Sequence, residues 1–229
     1  MGLTSSCGTG GDNGQSASSF CNATTCSIAT IYDQVTTNNL TSNAGTAFPT
    51  LEFNCINTTL PCIKLDAGIG QRIQTSGNFT PGAGRQLSIS IVGQNVSGTN
   101  AIPFQENGID NVLTVPSSNT WTYNGGTAGS VTATLADSAF HASNIAVDLT
   151  PATSTYNGDG TETTSTNVNN DTAAGPIGIR NTTGGVFEEP EVGFKDGTVW
   201  ALSIRSKLCD NQGSYYGTSK GTHCNSSGT

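Results

Sequence analysis

The feature that most constrains the fold is an alternation of apolar and polar side chains with a period of two. In Gln86–Val92, apolar residues alternate with Ser88 and Ser90, and Ser130–Ala136 and Asn144–Thr150 repeat the pattern. Successive side chains of a strand point to opposite faces, so each segment is expected to have one buried and one solvated face. Antiparallel sheets have such faces. The pattern therefore predicts an all-β fold in which helix is a minor component.

Turn signals separate these segments at intervals of roughly ten residues. This spacing predicts an antiparallel β-sandwich of the jelly-roll or immunoglobulin-like type, joined by long polar loops. The signals are Pro81-Gly82, Asn107-Gly108, Asn124-Gly125-Gly126, Asn157-Gly158, Gly184-Gly185 and Asp196-Gly197.

Other segments fix the expected boundaries. Residues 1–19 are rich in Gly and Ser and are predicted to be a flexible tail, with one sandwich domain over residues 20–229. A hairpin is expected within Thr50–Asp66. Pro151–Ala174 has almost no apolar residue and is interpreted as a long surface loop, with a linker as the alternative. Thr198–Arg205 alternates like a final strand.

Seven cysteines indicate a disulfide framework, and hence an oxidising compartment. No two of them have C-x-x-C spacing, and only two histidines could complete a zinc site, which argues against a structural metal. The pairs closest in sequence are the preferred prediction, although spacing alone leaves the connectivity open. These pairs are Cys21–Cys26, Cys55–Cys62 and Cys209–Cys224.

Charge excludes some classes of partner. The formal net charge is −8, and the eight lysines and arginines are scattered along the chain. A nucleic-acid-binding protein needs clustered Lys and Arg to neutralise phosphates, so nucleic acid is not an expected partner. An anionic membrane surface is excluded for the same reason. No apolar run approaches the roughly 18 residues that a membrane span requires.

The start of the sequence offers a different route to a membrane. The run Leu3-Thr4-Ser5-Ser6-Cys7-Gly8, followed by a polar stretch to Ser19, resembles the end of a bacterial lipoprotein signal. This resemblance implies a lipid anchor at Cys7, which would leave six cysteines to pair. It covers about a dozen residues, and Leu3 lies one place too far from Cys7. The alternative is a polar tail with an ordinary cysteine.

A second resemblance concerns the C-terminal end. A cysteine loop there, on a hydroxyl-rich β domain, resembles the terminal loop of type IV pilins and their minor relatives. The resemblance implies self-assembly, or assembly with other surface subunits, and it identifies no family. The segment 20–35 is the candidate for a strand donated to a neighbouring copy. The alternative is an ordinary edge strand of its own sandwich.

The sequence predicts no catalytic residues. Gly217-Thr-Ser-Lys-Gly221 matches G-x-S-x-G, but too little chain follows Ser219 to supply the partners of a hydrolase. His141 is interpreted as a surface or capping residue between two strands. Glu189 and Glu191 could share a strand face as a glycosidase pair does, but Pro190 between them favours a solvated edge.

Three oxygen-bearing residues form a weak calcium candidate, Asn157, Asp159 and Glu162. The alternative is an ordinary turn, and no other cofactor is expected. Eight N-x-S/T sequons make glycosylation a prediction only for a host that modifies them, since roughly six arise by chance. They begin at Asn22, Asn39, Asn57, Asn78, Asn95, Asn170, Asn181 and Asn225.

Aromatic residues are the candidates for carbohydrate contact, because sugar rings stack on exposed aromatic faces. Trp121 and Tyr123 lie two apart and are expected to share a strand face, and Tyr215 and Tyr216 lie within the predicted Cys209–Cys224 loop. Core packing is the alternative role for each.

Three hypotheses follow for an extracellular or cell-surface protein. The first is a structural or adhesive subunit of a pilus, fimbria or other surface filament. The second is a carbohydrate-binding module or lectin whose partners are glycans. The third is a secreted polysaccharide hydrolase, which the shortage of histidines and convincing carboxylate pairs disfavours.

Overall fold

The computed structural model describes sixteen segments of the chain. These are residues 21, 25–32, 38–42, 47–55, 61–66, 69–78, 87–97, 101–106, 112–117, 120–124, 130–135, 140–147, 154–165, 175–181, 186–196 and 202–216.

Sixteen strands and one helix make up the described secondary structure. The strands are β1 (Cys26–Ser27), β2 (Thr30–Ile31), β3 (Leu40–Thr41), β4 (Thr50–Glu52), β5 (Cys62–Asp66), β6 (Arg72–Thr75), β7 (Leu87–Ser97), β8 (Ala101–Glu106), β9 (Val112–Ser117), β10 (Thr120–Asn124), β11 (Ser130–Thr134), β12 (His141–Val147), β13 (Ser154–Gly158), β14 (Thr161–Ser165), β15 (Ile177–Asn181) and β16 (Val186–Asp196). The helix is α1 (Leu202–Tyr216).

The strands form two antiparallel sheets of eight strands each. Sheet 1 has the order β1-β4-β5-β16-β7-β12-β13-β14, and sheet 2 has the order β11-β10-β9-β8-β15-β6-β3-β2. The predicted all-β antiparallel sandwich is therefore confirmed. Because neighbours in each sheet are often distant in sequence, residues far apart along the chain meet at the sheet centres.

The two sheets enclose one hydrophobic core, to which the alternating segments contribute as predicted. Leu87, Ile89 and Ile91 of β7 are all fully buried and face the residues of sheet 2. In β11, buried and exposed residues alternate strictly. The opposite face of β7 differs from the prediction, because Ser88 and Ser90 are buried rather than solvated.

The segment interpreted as a long polar loop contains a β-hairpin, so that interpretation is wrong. β13 and β14 pair in register around a two-residue turn at Asp159 and Gly160, with φ values of 49° and 84°. Such a turn needs positive φ at both central residues, which Asp-Gly tolerates well. The strand was missed because its buried residues are mostly polar, including Ser154 and Asn157.

The acidic cluster Glu188-Glu-Pro-Glu191 also lies elsewhere than predicted. β16 is an interior strand between β5 and β7 rather than a solvated edge. The register shifts between Glu188 and Glu191, so that Pro190 falls in a bulge. A bulge tolerates a proline because the ladder hydrogen bonds are already interrupted there.

The predicted last strand is corrected as well. β16 ends at Asp196, and helix α1 begins at Leu202, inside the segment that was expected to be extended. Apolar residues two apart are compatible with a strand but do not exclude a helix. Later in helix α1 the buried residues are Cys209, Gln212 and Gly213. A helix whose buried face is small and polar has no apolar 3.6-residue pattern.

Two of the predicted disulfides, Cys21–Cys26 and Cys55–Cys62, are confirmed. Cys209 is also disulfide-bonded, but its partner lies outside the described residues, and so does the lipid-anchor candidate Cys7. The pairing of Cys209 with Cys224 therefore stays a prediction.

The candidate donor segment pairs within its own chain. β1 pairs with β4, and β2 pairs with β3. Ile28 and Ile31 are partly buried and pack against the core. The described part of this segment therefore has the edge-strand role, which was the alternative interpretation.

Candidate functional site

The centre of sheet 2 brings together polar residues from three strands. In the register of β15 with its two neighbours, Gly178 lies opposite Gln74 of β6 and Gln105 of β8. Arg180 lies opposite Arg72. These residues share the outer face of the sheet, because their neighbours Ile73 and Ile179 point into the core. We call Arg72, Gln74, Gln105, Gly178 and Arg180 the Gln–Arg patch.

The patch is defined by hydrogen-bonding groups that lack partners. Four buried side-chain polar atoms have no hydrogen-bond partner within the described part of the chain, and all four belong to the patch. They are Arg72 Nε, Gln74 Oε1, Gln105 Oε1 and Arg180 Nε. Because roughly nine in ten buried polar groups in proteins are hydrogen-bonded, four exceptions at one place mark a site.

Glycine at the middle of the patch is required by the close approach of β6. A Cβ atom on Gly178 would lie 2.3 Å from the carbonyl oxygen of Ile73 and 2.6 Å from Cβ of Gln74. Both are far inside van der Waals contact, and the first is backbone. The absence of a side chain therefore lets the two strands pair and leaves Gln74 and Gln105 as the floor of the patch.

The residues of the patch differ in their exposure. Gln74 and Gln105 are 8% and 1% exposed, whereas Arg72 and Arg180 are half-buried. Burial, and then the positive charge of Arg72, lower the pKa of Arg180. The guanidinium nevertheless stays protonated at neutral pH. The patch thus has a neutral buried floor and a cationic, partly solvated side.

These groups can bind but have no evident means of catalysis. The two Nε–H groups are unused donors, and the two amide oxygens are unused acceptors. The patch offers no nucleophile and no general base. A ligand with both hydroxyl groups and acceptor oxygens matches this set of donors and acceptors.

The outer face of sheet 1 also carries buried polar side chains, but these are hydrogen-bonded to one another. Gln212 of helix α1 donates from Nε2 to Ser90 Oγ at 2.8 Å and to Glu191 Oε1 at 2.7 Å. Its Oε1 accepts from Asn144 Nδ2 at 3.0 Å, and Ser90 Oγ donates to Asn144 Oδ1 at 2.8 Å. We call Ser90, Asn144, Glu191 and Gln212 the clasp, since they hold the helix on the sheet.

His141 lies in the sandwich, not on the surface as predicted. It is 5% exposed, and its Nδ1 lies 2.6 Å from Asp159 Oδ2. The ring of Trp121 meets it edge-on, with centroids 5.8 Å apart. The second carboxylate oxygen of Asp159 accepts from the Ala142 amide at 2.9 Å. This contact joins the turn of the β13–β14 hairpin to β12, which is a structural role.

The calcium candidates have other uses in the structure. Asn157 Oδ1 accepts from the Gly160 amide at 2.9 Å, while the carboxylate of Asp159 binds His141 and Ala142. Glu162 lies opposite Asn157 in the hairpin. A calcium ion there would have to replace these hydrogen bonds, and the site stays a prediction.

The aromatic candidates are separated by burial. Trp121 and Tyr123 belong to the hydrophobic core between the two sheets, so their rings face inward and offer no face to a sugar in this conformation. This corrects their predicted role and agrees with the alternative of core packing. Tyr215 is 64% exposed on helix α1, whereas the Tyr216 side chain lies outside the described residues.

The acidic cluster forms part of a charged group on sheet 1. Lys64 Nζ lies 2.6 Å from Glu52 Oε1, and Glu188 is the cross-strand partner of Lys64. Burial, and then the charge of Glu52, raise the pKa of Glu188, although Lys64 opposes the shift. Glu188 also lies within 4.8 Å of Cys55 and Cys62, but these sulfurs form a disulfide and leave no thiolate for a metal.

Sequence reasoning missed the Gln–Arg patch. Arg72, Gln74 and Gln105 lie far from Gly178 and Arg180 in the sequence, and no local motif links them. One usable signal was present, because the short apolar–polar alternation Arg72-Ile-Gln-Thr75 resembles that of Ile177-Gly-Ile-Arg180.

Ser219 lies outside the described residues. The described helix is too short and too polar to cross a bilayer.

No protein-family model matches the chain, and no curated protein matches it. Solved structures do resemble the fold. The binding domain of botulinum neurotoxin DC, in complex with SialylT, superimposes with a TM-score of 0.54 at 9% sequence identity, over 83% of this chain and 51% of that chain. This chain therefore spans about half the length of the toxin chain, and the likeness establishes the sandwich fold alone.

Two further structures are similar at lower scores. The carbohydrate recognition domain of Emp47p has a TM-score of 0.43 at 13% identity, over 75% of this chain and 95% of its own. The endo-1,3-beta-glucanase from Streptomyces sioyaensis has a TM-score of 0.40 at 15% identity, over 75% of this chain and 96% of its own. Scores this low support no conclusion about this protein.

Proposed function

We propose that this protein is an extracellular carbohydrate-binding module that holds its ligand at the Gln–Arg patch. The observation behind the proposal is the cluster of four buried polar atoms without partners in the described segments. Saccharides supply hydroxyl groups that both donate and accept, which is what two unused donors and two unused acceptors need. Sites of this kind place a few convergent polar groups in a formed surface.

The fold and the disulfides support the same proposal. A solved binding domain has this sandwich architecture, although no residue can be transferred at 9% identity. Two formed disulfides favour an oxidising environment such as the extracellular space. Binding without catalysis fits a patch that holds only amide and guanidinium groups.

The pairing of β1 and β2 within their own chain does not support the filament-subunit hypothesis. The donor-strand argument depended on residues 20–35, whose described strands pair within their own sheets. Neither the described surface nor the fold comparisons supply an observation that favours assembly.

A glycan microarray tests the proposed function with a matched pair of variants. Gln105→Met removes an amide from the patch at nearly constant volume, and Gln94→Met makes the same change on a half-buried position of sheet 1. We expect the wild type and Gln94→Met to bind the same glycans, and Gln105→Met to lose most of that signal. Absence of glycan binding by the wild type, or equal binding by Gln105→Met, would refute the proposed site.

A further inference from the structure

We propose that the saccharide recognised at the Gln–Arg patch is acidic, bearing a carboxylate or sulfate group that Arg72 and Arg180 hold. This inference rests on the proposed function, since it specifies the ligand class of the same patch. Both groups present an oxyanion on a sugar ring, which is the shared chemistry that a guanidinium recognises.

The placement of the two arginines is the first argument. They are direct cross-strand partners on β6 and β15, and like charges opposite each other destabilise an antiparallel pair. Lys64 contacts Glu52, and Asp159 contacts His141. The charge that acts on Arg180 is the positive charge of Arg72, and among the described residues no carboxylate contact to either arginine is found. An oxyanion between the two guanidinium groups would remove their repulsion and give each Nε–H an acceptor.

The two glutamines supply the second argument, because they distinguish a saccharide from a bare anion. Gln74 Oε1 and Gln105 Oε1 are buried acceptors, which a bare anion cannot satisfy and which would repel it. Hydroxyl groups beside the oxyanion on a sugar ring would donate to them. The floor therefore recognises hydroxyl groups while the arginines recognise charge, and an acidic sugar meets both requirements.

Isothermal titration calorimetry with matched probes tests the inference. The probes are oligogalacturonate and its carboxyl-reduced form, sialyllactose and lactose, a heparin oligosaccharide and its desulfated form, and inorganic sulfate. We expect at least one acidic probe to bind about tenfold or more tightly than its neutral counterpart, in line with a charge-assisted hydrogen bond. Inorganic sulfate alone is expected to bind much more weakly than that probe.

The variants remove equal charge at two places. Arg180→Gln and Arg72→Gln are each expected to weaken binding of the acidic probe by about tenfold to a hundredfold and leave the neutral counterpart nearly unchanged. Lys207→Gln removes one positive charge from an exposed position on helix α1 and is expected to leave both affinities unchanged. Thermal unfolding checks that each variant is folded. If one of the two arginine variants fails to fold, the other still tests the proposal.

The outcomes separate the two proposals. Equal affinity for acidic and neutral members of every pair would overturn the acidic class while the carbohydrate-binding function stands. Failure to bind any saccharide would overturn both. Binding of inorganic sulfate as tightly as the best acidic saccharide would overturn the saccharide assignment. If Arg180→Gln and Arg72→Gln weakened binding of the acidic probe only as much as Lys207→Gln does, overall charge and not the patch would determine affinity.

Discussion

The outer faces of the two sheets both carry buried polar side chains, and these differ in their hydrogen bonding. On sheet 1, the clasp links Gln212 of helix α1 to Ser90, Asn144 and Glu191. On sheet 2, the Gln–Arg patch retains four buried atoms without partners among the described residues. The same residue type, a buried glutamine, therefore fixes a helix on one face and is left unsatisfied on the other.

Under the proposed function, this difference separates a face with a structural role from a face that binds a ligand. A buried group with a partner contributes to stability, whereas one without a partner lowers stability by about 1–3 kcal/mol until something satisfies it. Sheet 1 has a partner for its polar groups in its own helix. Sheet 2 is expected to find that partner in a ligand, so variants of the two faces should behave differently.

The largest difference is expected between two glycines. A Cβ atom on Gly178 would lie 2.3 Å from a backbone oxygen, whereas on Gly193 of sheet 1 the nearest atom is 3.9 Å away. Gly178→Ala should lower the free energy of unfolding by about 3 kcal/mol, because the strands must separate. Gly193→Ala should change it by less than about 0.5 kcal/mol. Urea denaturation of both variants measures the difference, and equal effects would contradict the close approach at the patch.

A matched substitution of glutamine should have opposite consequences on the two faces. Gln212→Met removes the hydrogen-bond partner of Asn144 Nδ2 and of Glu191 Oε1, so it should lower the free energy of unfolding by about 2 kcal/mol. Gln105→Met removes an acceptor that has no partner among the described residues, so it should be neutral or stabilising. Urea denaturation with comparison of m-values checks both. A destabilising Gln105→Met would mean that its amide is already satisfied.

The sequence predicted the elements in which apolar residues recur with a period of two. β7, β11 and β12 overlap the predicted segments because their core residues are Leu, Ile, Val and Ala on one face. β13 was not predicted, since Ser154, Asn157 and Gly158 are buried there without being apolar. Helix α1 was not predicted because its buried residues include Cys209 and Gln212. A hydrophobic pattern cannot reveal an element whose contacts are polar.

The candidate site was beyond prediction for a topological reason. β15 is placed between β6 and β8 by pairing across the sheet, and only this order sets Arg180 beside Arg72. The alternation of Trp121 and Tyr123 was read correctly, yet it could not tell which face of the strand was buried. By contrast, Cys21–Cys26 and Cys55–Cys62 were predictable because pairs close in sequence form with little loss of chain entropy.

A smaller effect is expected from removing one arginine of the patch. Arg180→Met retains a side chain of similar length while it removes a charge opposite Arg72 and a buried donor without a partner in the described segments. The free energy of unfolding without ligand should rise by about 1 kcal/mol. Differential scanning calorimetry at low salt measures the gain, and the same change at the exposed Lys207 should give none. A lower Tm for Arg180→Met would show that the guanidinium stabilises the free protein.

The smallest effect concerns Glu188 on sheet 1 and tests whether its ionised carboxylate destabilises the folded protein. Burial and the charge of Glu52 raise the pKa of Glu188 above its ordinary value of 4.5, against the opposing charge of Lys64. The folded state then binds a proton more readily than the unfolded state. The contribution of Glu188 to stability therefore falls as pH rises from the ordinary pKa of the carboxyl to its raised pKa in the folded protein. Glu188→Gln does not titrate, and its free energy of unfolding should therefore gain on the wild type between about pH 4 and pH 7. The gain should be below about 1 kcal/mol, because the side chain is half-buried and solvent screens it. Urea denaturation of the wild type and Glu188→Gln across this pH range measures the difference in the free energy of unfolding. If the wild type became more stable relative to the variant as pH rises, the attraction of Lys64 would outweigh burial. The charges on this face would then be paired as completely as its amides.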